Sequence, residues 1–276
     1  DLDGDADLDL FIANSGTIGN EANNEANNEV MVNEGKGIFF PLSNWLDVGD
    51  GGVNLGDDVG VNPSTHAVAL GDLTGDGSID IINGNDGQNL LLMNQASAKG
   101  GFGTSTHKIL FSHRVQAVAI GDVDQDGSLD ALIGGRADLR NGVHAVLLRN
   151  DGSGDFREED IEFIHNDTDV KAVAFGDVDG DDDLDVLLGT TAAVIVMGVD
   201  EGLRGAPNEL LLNNGDFEDL RFTPAASFPG GTAATCAVAF GDVDGDDDLD
   251  LLIANLDLLN ELLINDGTGG FTTTSG

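Results

Sequence analysis

Five segments of this chain repeat one nine-residue aspartate pattern: DLDGDADLD from Asp1, DLTGDGSID from Asp72, DVDQDGSLD from Asp122, and DVDGDDDLD from both Asp177 and Asp242. Successive copies start 71, 50, 55 and 65 residues apart. Internal periods near that length belong to propeller blades and exceed those of most solenoids. The chain is therefore tandem copies of one supersecondary unit.

Each pattern lies in a larger frame. An apolar run precedes four of the copies: HAVALG from His66, QAVAIG from Gln116, KAVAFG from Lys171 and CAVAFG from Cys236. The first copy lacks it. A second run follows every copy, at Leu10, Ile81, Ala131, Val186 and Leu251, and a third ends in Asn-Gly or Asn-Asp-Gly-like turns, as in NELLLNNG from Asn208 and NELLINDG from Asn260. A short fourth run centres on Phe39, Phe102, Phe156, Phe222 and Phe271. These runs are short, rich in leucine and β-branched residues, and bounded by turn residues, so they are strands. Glycine, at 40 of 276 residues, punctuates them too often for helices. Four strands on short connections make an antiparallel blade. A single such sheet cannot bury both of its apolar faces, so successive blades must stack around an axis. The expected fold is all-β, a β-propeller of four-stranded antiparallel blades. One domain spans 1–276, with repeat units near 1–65, 66–115, 116–170, 171–235 and 236–276.

Within each pattern the acidic side chains fall at positions 1, 3, 5 and 9, which gathers them on one tight bend. Calcium takes roughly 6 to 8 oxygens at about 2.3–2.6 Å, and such a bend can supply them together with a backbone carbonyl at position 7. The expected ligands are Asp1, Asp3, Asp5 and Asp9; Asp72, Asp76 and Asp80; Asp122, Asp124, Asp126 and Asp130; Asp177, Asp179, Asp181 and Asp185; and Asp242, Asp244, Asp246 and Asp250. That allows up to five Ca²⁺. Thr74 replaces an aspartate in the second copy, so the Asp72 site is expected to be the weakest. Asp7, Asp183 and Asp248 stand at position 7, where only the carbonyl is expected to bind while the side chain faces solvent. A helix-flanked calcium loop would need a glutamate at position 12, which is Ile12, Asn83, Ile133, Leu188 or Ile253 here.

Asp and Glu total 51 against 11 Lys and Arg, a formal net charge of −40. That balance excludes nucleic acid and anionic membrane as partners and favours cations. No apolar run reaches the length of a membrane span. The chain opens inside a motif and not on a signal peptide, as a piece of a longer protein would. Cys236 is alone, so no internal disulfide forms, and its apolar neighbours suggest a buried, inert thiol. His66, His107, His113, His144 and His165 share no spacing, and the aspartates are committed to metal, so no catalytic constellation is visible and the chain is not expected to be an enzyme.

The pattern of an AVAFG strand, an aspartate loop and an apolar run resembles the FG-GAP/VCBS repeat of integrin α-subunit propellers and many secreted proteins. This resemblance implies six to eight blades in the intact ring, hence further sequence beyond the five repeats. It implies that the calcium loops join the first and second strands of each blade at one face of the disc. It also implies that a protein or glycan partner meets the opposite face, where the segments 14–27, 41–65 and 190–207 vary most. The corresponding function is a calcium-binding adhesion or interaction module outside the cell, or a subunit of a surface assembly, with self-assembly a further expectation. Extracellular calcium would keep such sites filled, and Asn166 heads a glycosylation sequon. The alternatives are a lectin-like propeller, for which Trp45 is the one obvious sugar platform, and a non-catalytic propeller appended to a secreted enzyme.

Overall fold

The computed structural model describes residues 1–2, 4–13, 28–33, 38–41, 65–86, 89–94, 102–109, 114–135, 145–159, 168–196, 199–216, 220–225, 228, 231 and 233–274. Asp3, Trp45, Asn166, His113, His144, His165, the whole segment 14–27 and nearly all of 41–65 lie outside them. Every regular element described is a strand, and none is a helix that could cross a membrane.

Five antiparallel sheets follow one another along the chain. The first has three strands, β1 (Leu10–Ile12), β2 (Glu29–Asn33) and β3 (Phe39–Pro41), as expected for a copy without its leading strand. The second runs β4 (Thr65–Gly71), β5 (Asp80–Asn85), β6 (Leu90–Asn94) and β7 (Phe102–Ile109). The third runs β8 (Val115–Gly121), β9 (Asp130–Gly135), β10 (Ala145–Asn150) and β11 (Phe156–Glu159). The fourth contains β12 (Asp169–Gly176), β13 (Asp185–Val196), β14 (Val199–Gly205), β15 (Glu209–Asn213) and β16 (Phe222–Pro224). The fifth runs β17 (Ala234–Gly241), β18 (Asp250–Leu256), β19 (Glu261–Asn265) and β20 (Phe271–Thr273).

One segment differs from expectation. Residues 190–207 are not a loop, because β13 extends to Val196 and β14 returns along it, pairing Thr191 with Gly205 and Val196 with Val199. The run TTAAVIV is β-branched and continues the ladder past the usual strand end.

The Cα positions form two compact units, residues 1–115 with 150–156, and residues 116–149 with 157–276. In the first unit, Leu2 and Val30 of the first sheet pack on Ile81, Leu90 and Leu92 of the second. In the second unit, Val123, Leu132 and Leu147 of the third sheet meet Val186, Leu188 and Leu211 of the fourth. Val178, Leu187 and Leu210 of the fourth meet Leu251, Ile253, Leu263 and Phe271 of the fifth. Within each unit apolar burial thus lies between consecutive sheets, and it yields on the order of 1.5–3 kcal/mol per fully buried side chain. Gly176 marks how closely two sheets approach, since a Cβ there would stand 2.9 Å from the Phe240 ring and 3.2 Å from Leu249.

Candidate metal centres

The aspartate patterns of the second to fifth sheets form the bend between the first and second strands, and that of the first sheet leads directly into β1. The backbone turns through two left-handed residues, at position 4 (Gly4, Gly75, Gln125, Gly180 and Gly245) and position 6 (Ala6, Gly77, Gly127, Asp182 and Asp247). Those conformations favour glycine or short polar residues. Ala6 and Gln125 are the exceptions, and the Gln125 amide donates at 2.9 Å both to the Asp182 carbonyl and to Asp183 Oδ1 of the next loop.

Backbone donors converge on the position 1 carboxylate. Asp177 Oδ1 accepts from Gly180 N at 2.8 Å, and Oδ2 accepts from Asp182 N at 3.0 Å. Asp242 repeats this with Gly245 and Asp247. The position 5 carboxylate accepts from the amide at position 7, as Asp126 does from Ser128 at 2.7 Å and Asp181 does from Asp183 at 3.0 Å. The loop is thus wound tight by its own amides, which leaves the remaining oxygens crowded together.

Position 9 plays a second part that spacing alone did not reveal. Asp185 is fully buried, and its two oxygens accept from Val178 N at 2.9 Å and Asn213 N at 2.8 Å. Asp250 accepts from Val243 N and Asn265 N, Asp80 from Leu73 N and Asn94 N, and Asp9 from Leu2 N and Asn33 N. This carboxylate therefore ties the start of the loop to the end of the third strand of its own sheet. The asparagine that closes each third strand is also more than a turn signal. Asn213 Nδ2 donates to the Val123 carbonyl, and Asn265 Nδ2 donates to the Val178 carbonyl, in each case in the preceding sheet. Asn94 does the same to Leu2, and Asn150 to Leu73. Its recurrence at one place in every repeat was the signal available in sequence.

Three loops bring carboxylate oxygens within 4.8 Å of one another: Asp122, Asp124 and Asp130; Asp177, Asp179 and Asp185; and Asp242, Asp244 and Asp246. Asp126, Asp181 and Asp250 belong to the same bends but stand outside those trios. Among the described residues, Asp72, Asp76 and Asp80 form no such trio, and Asp3 of the first loop is not described. The third loop contains its own cation, because Arg149 of β10 ion-pairs with the buried Asp124.

The crowding shows in the acidities. Burial, only partly offset by the two amide donors, pushes Asp185 up to about 7. Burial and then the neighbouring charges of Asp181 and Asp177 raise Asp179 and Asp183. Loss of water and the charge of Asp246 raise Asp244 and Asp248. Asp183 is buried against the Gln125 amide, so its side chain does not face solvent as expected for position 7. Cys236 likewise departs from expectation, since its thiol is exposed on β17.

Hard oxygens fit a hard divalent cation. Asp179 Oδ1 is shut away from solvent with no hydrogen-bond partner among the described residues, which is costly for a carboxylate unless a cation meets it.

Two solved structures resemble this one over 90% of the chain. One is of an Agrocybe aegerita lectin that specifically recognises non-reducing terminal N-acetylglucosamine, at 18% identity and TM-score 0.37, with 73% of that chain covered. The other is the pore of the Photorhabdus luminescens Tc holotoxin, at 14% identity and TM-score 0.39, with 11% of that chain covered. No curated protein matches the chain in sequence. The FG-GAP-like repeat family matches residues 72–133 and 194–253, two segments that include the second, third and fifth aspartate loops. Those two segments are thereby similar to FG-GAP-like repeats.

Proposed function

We propose that this chain is a calcium-stiffened β-propeller module, non-catalytic and extracellular, that presents a protein- or glycan-binding face at the end of its blades remote from the aspartate loops. The observation behind the metal is the convergence of Asp177, Asp179 and Asp185 around a buried, unpartnered Asp179 oxygen. Asp122, Asp124 and Asp130, and Asp242, Asp244 and Asp246, would hold ions in the same way. A bound cation would neutralise carboxylates that otherwise repel one another by about 1 kcal/mol or more per pair. Because Val178 accepts hydrogen bonds from Asn265 Nδ2 and from Gly269 N, stiffening the loop of one sheet would stiffen its junction with the next.

A partner face at the opposite end is supported by the connection between β18 and β19. There Leu256, Leu258 and Leu259 stand exposed around Asp257, whose backbone is left-handed. An apolar tip on a chain this acidic is unusual enough to mark a contact surface.

Isothermal titration with calcium tests the metal. Saturable binding that Asp179→Asn and Asp244→Asn each reduce by one site is the expected result; binding unchanged in both variants would refute it. A glycan array read with wild type and a Trp45→Ala variant separates the sugar-binding alternative from a protein partner.

A further inference from the structure

We propose that Gln125 of the third loop presets the fourth loop for its cation; this rests on the calcium reading and adds to it a residue of a neighbouring sheet that sets the affinity of one site. Gln125 stands at position 4, where the other four copies carry Gly4, Gly75, Gly180 and Gly245. Its backbone is left-handed, at φ 54°, so a side chain stands there against the local preference for glycine. Both hydrogens of its amide go to the fourth loop, at 2.9 Å to the Asp182 carbonyl and 2.9 Å to Asp183 Oδ1.

These two bonds fix positions 6 and 7 of the fourth loop, and their effect reaches the ligands. Asp183 is buried, with one oxygen held by Gln125 and the other against Gly215, where a Cβ would stand 2.6 Å from it. The Asp183 backbone amide donates to Asp181 Oδ1 at 3.0 Å, and Asp182 N donates to Asp177 Oδ2 at 3.0 Å. Gln125 thus orders the carboxylates at positions 1 and 5 through the backbone between them, and leaves the converging oxygens of Asp177, Asp179 and Asp185 to the ion. A loop already shaped in the free protein loses less freedom when the ion arrives, which raises affinity.

The anchor end of this brace is fixed without an ion. Asp124, next to Gln125, is buried and ion-paired with Arg149, whose place on the third strand is taken by Val32, Met93, Leu212 and Ile264 in the other sheets. The third loop therefore carries its own cation and stays ordered whether or not the fourth holds calcium. The fifth loop supplies the control. It repeats the fourth residue for residue, DVDGDDDLD, with Asp248 in the place of Asp183. The residue that corresponds to Gln125 is there Gly180, which has no side chain to donate. Two identical loops thus differ in what the preceding sheet offers them.

Calcium titration of the full chain, followed by NMR at the amides of Gly180 and Gly245, tests the proposal, since each amide donates to the position 1 carboxylate of its own loop and reports on that loop. Gln125→Gly installs the residue of the other copies and should weaken calcium at the fourth loop about tenfold, the worth of one hydrogen bond to a charged group, with the fifth loop unchanged. Gln125→Glu, which repels Asp183 where the amide held it, should weaken the fourth loop further. A general loss of structure would move both reporters and not one. The converse variant, Gly180→Gln, sets the amide before the fifth loop. Gln125 shows that a side chain fits this left-handed position, and the nearest atom to a Cβ on Gly180 is the Gly267 carbonyl oxygen at 3.6 Å. Read at Gly245, Gly180→Gln should tighten the fifth loop, whereas Gly180→Ala should not. A fourth loop that neither Gln125 variant weakens, or a fifth loop that Gly180→Gln leaves no tighter than Gly180→Ala does, overturns the proposal while the calcium reading stands. Amides that calcium shifts in neither loop overturn both.

Discussion

Asn265 donates its side-chain amide to the carbonyl of Val178, 2.8 Å away and 87 residues earlier in the chain. Its backbone amide meanwhile donates to Asp250 at 2.9 Å, so one residue holds two sheets and one aspartate loop together. Replacing Asn265 by leucine leaves the buried Asp250 tie intact but removes the link between sheets. The expected loss is about 1–3 kcal/mol, the usual cost of stranding a buried polar partner. Urea unfolding should show a lower midpoint. A midpoint equal to wild type would mean that the link carries no stability.

Positions 5 and 9 of one loop should separate binding from folding. Asp185→Asn sets an amide where two backbone N–H groups need acceptors, and should cost about 1–3 kcal/mol even in chelator. Asp181→Asn, at an exposed carboxylate, should leave the chelated protein near wild-type stability while weakening calcium binding. Equal losses for both variants in chelator would contradict the distinction.

Arg149 competes with any cation at Asp124. Arg149→Met should therefore tighten calcium binding at the third loop, and titration should show one site gaining affinity. No gain, or a loss, would show that the arginine orients the loop more than it blocks it.

Chelation should lower the melting temperature. An ion at a hundred times its dissociation constant adds about 2.7 kcal/mol per filled site, which in a chain of this size is roughly 5–10 °C. Identical melting curves with calcium and with excess chelator would remove the basis for the proposed function.

The pH response follows from Asp185. Its folded value of about 7 lies above the ordinary 3.8, so between those limits the folded chain holds a proton that the unfolded chain has released. Without calcium, stability should therefore be greatest below the ordinary value and fall as pH rises through about 7. With calcium the slope should reverse, because the ion binds the ionised carboxylate. Thermal melts between mildly acidic and mildly basic pH, in chelator and in calcium, decide it; a chelated protein that gains stability with rising pH would sink the reading.

Close packing at Gly176 makes a further test. Gly176→Val has no room between Phe240 and Leu249 and should cost about 1–3 kcal/mol by overpacking. A melting temperature equal to wild type would show that the two sheets can part at that point.

Much of this architecture could be read from residues close together in the chain. The strand that precedes each aspartate loop, the strand that follows it and the absence of the first from the opening repeat all appear where periodicity put them. So does the gathering of Asp177, Asp179 and Asp185, because a nine-residue bend holds its own carboxylates together whatever surrounds it. The same local logic went wrong at residues 190–207, where β-branched residues prolong the ladder, and at Cys236, whose apolar neighbours suggested a burial that the fifth sheet does not supply.

The number of repeats, their strand order and the chemistry of their bends were settled by local composition and spacing, since hairpin pairing and carboxylate clustering act over a few residues. The partnership of Asn265 with Val178, the capture of Asp183 by Gln125 and the contrast between buried Leu187 and exposed Leu252 depended on which sheet lies against which. Those contacts join residues tens of positions apart, and near-identical motifs such as those at Asp177 and Asp242 acquire different surroundings only once the sheets are stacked.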